Sequence, residues 1–245
     1  MLTLDDVQFD YPGTGHAERG FRLSVEGLRI QPGESVAMTG ASGVGKTTVL
    51  RLAAGILRPV RGRIELAGVD LGPLAESGRR RHRLEKVGFV FQDFRLLDHL
   101  NVMQNVLLPF RLGRLPLDAD ARIQATGLLE RLGIATLANR DVRTLSRGEQ
   151  QRTAICRALV TEPAVILADE PTGDLDRESA VSIMDLMARL NRDLGRTIVM
   201  VTHDPKTTEW CDSVLHLEKG RLAEAEGDAT TPMASEPDLE SEGMR

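Results

Sequence analysis

Gly40-Ala41-Ser42-Gly43-Val44-Gly45-Lys46-Thr47 is the stretch that decides the fold of this 245-residue chain. It matches the pattern G-x-x-x-x-G-K-T and lies between an apolar strand pattern, Ser35–Thr39, and a helical pattern, Gly45–Ala54. Such glycines let backbone N–H groups turn inward as a nest for phosphate oxygens, and the helix start adds its positive end. A chance glycine turn before a helix is the alternative, but it leaves the full motif and its setting unexplained. We therefore expect an ATP site.

Two side chains of this loop have specific expected roles. Lys46 can reach the β- and γ-phosphates, and the hydroxyl of Thr47 can bind Mg²⁺. The residues expected to bind nucleotide here are Gly40, Ala41, Ser42, Gly43, Val44, Gly45, Lys46, Thr47 and Thr48.

A second apolar strand pattern ends in two carboxylates. Val165-Ile166-Leu167-Ala168 is followed by Asp169 and Glu170. Asp169 is placed to hold Mg²⁺ through its water shell, and Glu170 suits the role of general base for the attacking water. The pair could instead cap the following helix, an interpretation that the phosphate loop makes much weaker.

The spacing of apolar residues gives the order of elements. Strands are predicted at Leu2–Phe9, Phe21–Leu28, Ser35–Thr39, Arg63–Leu66 and Val87–Phe91, and helices at Asn101–Pro109, Asp118–Leu132 and Gly148–Val160, with breaks at Pro109, Pro116 and Gly133. From residue 164 strand (164–169), helix (178–194), strand (197–202), helix (205–211) and strand (214–217) alternate, which predicts a parallel sheet with crossover helices. The chain is thus an α/β core with a helical insertion near 95–155.

Composition limits the kind of protein. A net charge of −5 and 3% aromatic residues argue against a nucleic-acid partner, and no apolar run approaches the roughly 20 residues of a membrane helix. The first residues lack a signal peptide's pattern, so we expect a cytoplasmic protein.

Cys156 and Trp210 are expected in the core, and the basic run Arg79–Arg83 on a solvated helix face. Residues 223–245 are acidic and are expected to form a disordered tail beyond a domain at 1–222.

Further motifs resemble those of ATP-binding cassette (ABC) proteins. Leu145-Ser146-Arg147-Gly148-Glu149-Gln150-Gln151-Arg152 is similar to the family's signature motif, and Gly173-Asp174-Leu175-Asp176 to its D-loop. Gln92 resembles the Q-loop glutamine, His203 the switch histidine, and Tyr11 the aromatic residue that stacks on adenine. The motifs follow the family order across about residues 2–222.

The resemblance implies a P-loop NTPase core with a mostly parallel sheet, an N-terminal antiparallel β-subdomain and an inserted α-helical subdomain. It implies that two copies form a homodimer around ATP, the signature of one closing on the nucleotide held by the other. Gln92 would contact Mg²⁺ and the γ-phosphate, and His203 would order the attacking water beside Glu170. Ser146, Gly148, Glu149 and Asp174 would complete the nucleotide site. Taken singly, a strand-end histidine such as His203 or an aromatic such as Tyr11 is more often structural.

One position departs from the family pattern. The signature usually has the sequence L-S-G-G-Q, and here Arg147 replaces its first glycine while Glu149 replaces the glutamine. Glutamate is a common variant. Arginine adds bulk and charge beside a phosphate site, where it could contact ATP, contact the opposite subunit or point to solvent.

The segments Phe89–Leu97, Asn105–Pro109 and Ala168–Asp176 resemble the lipoprotein-release, macrolide-export and FtsE-like ATPases. This implies a separate membrane permease that docks near Gln92–Leu97, with Phe94, Leu96 and Leu97 forming an apolar groove, and a peripheral position on the inner face of the cell membrane. The alternatives are a soluble ABC-type ATPase of DNA repair or translation, and a P-loop kinase. The kinase leaves residues 145–152 unexplained.

Overall fold

The computed structural model describes residues 1–11, 21–113, 115–218 and 221–224, in which ten strands form one sheet. In chain order these are β1 (Leu2–Asp10), β2 (Arg22–Ile30), β3 (Ser35–Thr39), β4 (Arg61–Leu66), β5 (Val69–Asp70), β6 (Val87–Val90), β7 (Val165–Asp169), β8 (Thr197–Val201), β9 (Ser213–Glu218) and β10 (Arg221–Glu224). Their spatial order is β5-β4-β1-β2-β10-β9-β3-β8-β7-β6.

Eight α-helices lie in the same described residues. They are α1 (Lys46–Ala53), α2 (Glu76–Lys86), α3 (Val102–Val106), α4 (Leu108–Gly113), α5 (Ala119–Arg131), α6 (Arg147–Leu159), α7 (Arg177–Leu194) and α8 (Pro205–Thr208). Two short 3-10 turns, Ala135–Leu137 and Val142–Thr144, precede α6.

One half of the sheet is parallel, and its central strands β3, β8 and β7 are buried on both faces. β3 pairs in parallel with β8 and β9, and β7 pairs in parallel with β6 and β8. Along β7, Val165 and Leu167 join one apolar cluster, whereas Ile166 and Ala168 join another on the opposite face. Successive side chains of a strand point to opposite faces, so an uninterrupted apolar strand contributes to two cores.

The other half is antiparallel except where β2 meets β10 in parallel, and it carries the N-terminal residues. β1 pairs antiparallel with both β2 and β4, and β4 pairs antiparallel with β5. The alternation of buried and exposed residues in β2 is that of a strand with one face on the core. The expected α/β class, parallel core, antiparallel β-subdomain and helical insertion are therefore all present.

The register of the parallel strands brings three loops together. Met38 of β3 pairs with Val201 of β8, and Val201 pairs with Asp169 of β7. The amide of Thr202 donates to Met38 O, and that of Glu170 to Val201 O. Carboxyl ends of parallel strands meet at one edge, where ligands of open α/β sheets bind.

Several predicted boundaries were wrong. β5 and β10 were missed because each is very short, and Pro109 is the second residue of α4 rather than a break, a position where its missing N–H costs no helical hydrogen bond. β6 stops at Val90, one residue before the predicted end.

The basic run is also corrected, because not all of it is solvated. Arg79 is 5% exposed, and Arg83 donates to Gly55 O and so fixes α2 to the turn after α1. Trp210, expected in the core, is 36% exposed.

Two further expectations concern the ends of the chain and the membrane. β10 extends two residues past the domain boundary drawn at 222, and the rest of the expected tail, 225–245, lies outside the described residues. Among the described helices, none has the length and apolar character required to cross a bilayer.

Candidate nucleotide site

The phosphate loop connects β3 to α1, as its pattern predicts. Gly40 and Gly45 have φ values of 142° and 108°, which favour glycine. A Cβ at Gly40 would lie 2.3 Å from the carbonyl oxygen of Leu217, and one at Gly45 would lie 2.6 Å from the ring of Phe21. At Gly43 a Cβ would meet nothing within 4 Å. The loop is thus packed by protein at two glycines and open at the third.

Lys46 opens α1 directly under this loop. Its side chain is 7% exposed, and its Nζ donates to the carbonyl oxygens of Gly40 (2.7 Å) and Ala41 (2.9 Å). No described side chain caps this helix, and its first turn contains no acidic residue. The backbone amides and the ammonium group therefore form a positive site with no carboxylate in that turn.

The two residues expected at the metal lie side by side. Thr47 Oγ1 donates to Asp169 Oδ1 at 3.1 Å, although 122 positions separate them in the sequence. Burial raises the pKa of Asp169, the hydrogen bond from Thr47 opposes the shift, and the nearby Glu170 adds to it. A hydroxyl and one carboxylate fit Mg²⁺, which takes few protein ligands and fills its shell with water and phosphate oxygens.

The candidate general base contacts the candidate switch histidine. Glu170 Oε2 lies 2.7 Å from Nδ1 of His203. Glu170 has a φ of 47°, in the left-handed region that non-glycine residues rarely adopt. Its amide is held by Val201 O, and its own carbonyl accepts from the amide of Gly173. The backbone thus aims this carboxylate at His203, as the resemblance implied, through a left-handed conformation that the sequence did not reveal.

Gln92 follows β6 at the same edge of the sheet. A Cβ at Gly173 would lie 3.3 Å from Glu170 Oε2 and 3.5 Å from Gln92 Nε2, so these two side chains flank that glycine. A groove of about 640 Å³ adjoins them and is lined by Glu170, His203, Lys206 and Trp210, among others. Glu170 and His203 thus border a space open to solvent.

Tyr11 is separated from the phosphate loop by the ring of Phe21. Its ring packs edge-on against that of Phe9, with centroids 4.8 Å apart. The ring centroid of Phe21 lies 6.2 Å from that of Tyr11, and the Phe21 ring packs against Gly45 of the loop. Tyr11 is half-buried in this aromatic group. Its role in stacking on adenine stays a prediction.

Two residues of the signature motif, Ser146 and Glu149, hydrogen-bond to each other. Ser146 caps α6, and its amide and hydroxyl donate to Glu149 Oε2 at 2.7 and 2.9 Å. The Glu149 amide in turn approaches Ser146 Oγ at 3.4 Å. This reciprocal capping explains why a carboxylate serves at this position. Within the motif Ser146 and Arg147 are exposed, whereas Leu145 and Gln151 are buried.

Arg147 contacts two other motifs of the same chain. Its guanidinium lies 5.5 Å from the ring centroid of Phe94, and Nη1 is 3.8 Å from Asp174 Oδ2. Gly148 faces Ser179, whose Oγ would lie 3.2 Å from an added Cβ. This placement is none of the three that the sequence left open for Arg147, since the side chain lies against Phe94 and Asp174 of its own chain.

Two buried polar residues of α6 were not singled out from the sequence. Gln151, fully buried, donates to Pro171 O just after Glu170. Arg157, 9% exposed, donates to the carbonyls of Phe94 and Arg95. Their polar character inside an apolar helical pattern is the feature that could have marked them.

The expected docking groove needs one correction. Phe94 is 4% exposed and belongs to the interior, whereas Leu97 is 37% exposed and Leu96 is half-buried. Asn105, fully buried, accepts from the amide of Leu97 and donates to the carbonyls of Leu97 and Leu100. The segment after Gln92 is therefore anchored, with Leu96 and Leu97 rather than Phe94 at its surface.

No cluster of three or more His, Cys, Asp or Glu residues suited to a metal occurs in the part of the chain that the structure describes. A site formed by Thr47 and Asp169 alone would thus depend on the nucleotide for further ligands.

Comparisons with known proteins agree with this geometry. The family model described as ABC transporter matches residues 24–173. The chain is 43% identical over 195 residues to the lipoprotein-releasing system ATP-binding protein LolD of Pseudomonas fluorescens, covering 80% of this chain and 86% of LolD. It is 42% identical over 212 residues to an ABC transporter ATP-binding protein of Escherichia coli K12, YbbA, covering 86% of this chain and 92% of YbbA.

A solved structure extends the similarity to the fold. The ATP-binding cassette MJ0796, in a dimeric post-hydrolysis state bound to ADP and Pi, superimposes with a TM-score of 0.82 at 32% identity. The match covers 93% of this chain and all of that one.

Proposed function

This chain belongs to the ABC transporter family, and from that premise we propose that it is the ATP-binding and hydrolysing subunit of a bacterial transporter or FtsE-like mechanotransmission complex. The predicted family and α/β class are confirmed. The observation that carries the proposal is the convergence of Thr47 with Asp169 and of Glu170 with His203 beside the phosphate loop.

Each group has a part in hydrolysis. The loop amides and Lys46 hold the triphosphate. Thr47 and Asp169, with Gln92, would hold Mg²⁺, which when bound neutralises charge on the phosphate oxygens. The oxygen of the attacking water bonds to the γ-phosphorus while Glu170 takes up a proton from that water. The bond between the γ-phosphorus and the ADP oxygen breaks. His203 orients that water and the carboxylate.

The signature of a second copy completes the site in this proposal. Ser146 and the amides at the start of α6 supply donors to the γ-phosphate, and Asp174 lies at the same interface. The dimeric state of MJ0796, with ADP and Pi bound, supports a homodimer that closes around ATP.

The partner is a separate membrane permease, and the chain lies at the inner face of the membrane through it. The name of LolD, a lipoprotein-releasing ATP-binding protein, supports this group of transporters. The permease contacts the surface formed by Leu96 and Leu97.

Leu97→Asp tests the docking surface. Burying a charge in an apolar contact is unfavourable, so the variant should lose co-purification with the membrane permease while keeping its own ATP binding. Val60→Asp is the matched control, since Val60 is an exposed apolar residue (71%) just before β4, in the antiparallel half. Equal co-purification of both variants would reject this surface.

A further inference from the structure

The segment after Gln92 contains an unusual turn. Phe94 and Arg95 have φ values of 56° and 46°, in the left-handed region, and neither is glycine. Consecutive residues rarely adopt this conformation unless the surroundings hold them there. The turn leads directly into the surface formed by Leu96 and Leu97.

Arg157 holds this turn from inside the protein. Its Nη1 donates to Arg95 O and its Nη2 to Phe94 O, each at 2.5 Å, so one guanidinium spans the carbonyls of both left-handed residues. Burial lowers the pKa of Arg157 to about 10, which leaves it cationic at neutral pH. A planar fork of donors suits this task, and a lysine cannot bond in the same way.

Arg147 holds the same turn from the surface. It lies ten positions before Arg157, about 15 Å earlier along α6, and its guanidinium covers the ring of Phe94. The same guanidinium is near Asp174 of the D-loop. Glycine, the usual family residue at this position, could make neither contact.

The helix that begins with the signature therefore holds the turn that leads to the docking surface. We propose that Arg147 and Arg157 are positioning residues that transmit nucleotide contact at the signature to the Phe94–Leu97 segment, separately from Gln92. This inference rests on the proposed ATP-closed dimer. A triphosphate at Ser146 carries more negative charge than Asp174, so it draws the Arg147 guanidinium toward itself and changes its contact with Phe94.

Hydrogen exchange of the peptide 94–100 tests the relay. The full chain carrying Glu170→Gln is measured with and without Mg²⁺-ATP, alone and with Arg147→Ala, Arg147→Lys or Arg143→Ala. Arg143→Ala is the matched control, because Arg143 lines the same small pocket but hydrogen-bonds Asp141, and its charge interaction with Asp98 is the weaker of the two. Without nucleotide, Arg147→Ala should speed exchange about two- to fivefold, the range expected for losing an exposed cation–π contact. Arg143→Ala should not.

With Mg²⁺-ATP, the change in exchange at 94–100 should persist with Arg143→Ala, shrink by at least half with Arg147→Ala, and return in part with Arg147→Lys. Equal exchange in the Arg147→Ala and Arg143→Ala chains, with and without ATP, would overturn the relay. Arg157→Lys should also speed exchange without nucleotide, and unchanged exchange there would overturn the role of Arg157.

Light scattering of the same samples separates this inference from the proposed function. If the Glu170→Gln chain stayed monomeric with ATP, the dimer would be wrong and the relay, which depends on it, would be overturned with it. If the dimer formed and Arg147→Ala left the exchange response intact, only the relay would be wrong.

Discussion

The phosphate loop and the signature motif are both glycine-containing segments at the start of a helix, yet their polar groups are used differently. α1 begins after Gly45 without a side-chain cap, and its Thr47 bonds to Asp169 at the end of a distant strand. α6 begins with Ser146 and Glu149 capping each other within four residues. The first site is assembled within one chain, because Lys46 bonds to loop carbonyls and Thr47 to a carboxylate 122 positions away. The second is locally satisfied and exposed, as suits a surface that meets ATP only when a partner brings it.

Lys46→Ala should produce the largest change and would sharpen this contrast at the phosphate loop. Losing charge-assisted bonds to the phosphates, each worth about 1.5–3 kcal/mol, should weaken ATP binding about a hundredfold or more. Isothermal titration calorimetry measures the affinity, with Lys86→Ala, an exposed lysine at the end of α2, as the control. An affinity within about threefold of the unchanged chain would contradict the role of Lys46.

The second-largest effect should be that of lower pH on Mg²⁺ binding beside the phosphate loop. Because burial raises the pKa of Asp169, its carboxylate takes up a proton at a higher pH than an exposed aspartate, and the protonated form binds Mg²⁺ poorly. Mg²⁺ affinity in the presence of ATP should therefore fall as pH decreases, by up to about tenfold for each unit below that pKa.

The control for this pH effect is Asp169→Asn. That variant should bind Mg²⁺ weakly at every pH and lose the dependence. If its pH profile matched that of the unchanged chain, another group would be responsible.

Ser146→Ala should have the smallest effect and tests the local capping of the signature. Loss of a serine N-cap destabilises by about 1 kcal/mol, which corresponds to about 2–4 °C in Tm for a chain of this length. Glu149→Gln keeps a capping partner and should leave Tm nearly unchanged. Thermal denaturation measures both, and equal losses would mean that the carboxylate charge, rather than the cap, stabilises the start of α6.

The same contrast explains what the sequence could predict. The phosphate loop was predictable because its residues are contiguous and their function is carried by backbone geometry. The parallel strands were predictable because uninterrupted apolar runs such as Val165–Ala168 must be buried on both faces.

Long-range side-chain contacts were not predictable. The positive φ of Glu170, the contact of Arg147 with Phe94 and the burial of Arg79 depend on distant segments. Short strands such as β5 and β10 depend on pairing rather than on a pattern of their own. Phe94 was wrongly expected at the surface. The sequence near a loop does not distinguish an apolar side chain that packs into the interior from one that faces solvent.

The central claim is that the phosphate loop is half of a site and the signature of a second copy is the other half. Molar mass by light scattering tests it on Glu170→Gln, which should bind ATP but hydrolyse it poorly. With Mg²⁺-ATP this chain should double in mass, whereas Glu170→Gln combined with Ser146→Arg should bind ATP and remain a monomer. A Glu170→Gln chain that binds ATP and stays monomeric would contradict the claim.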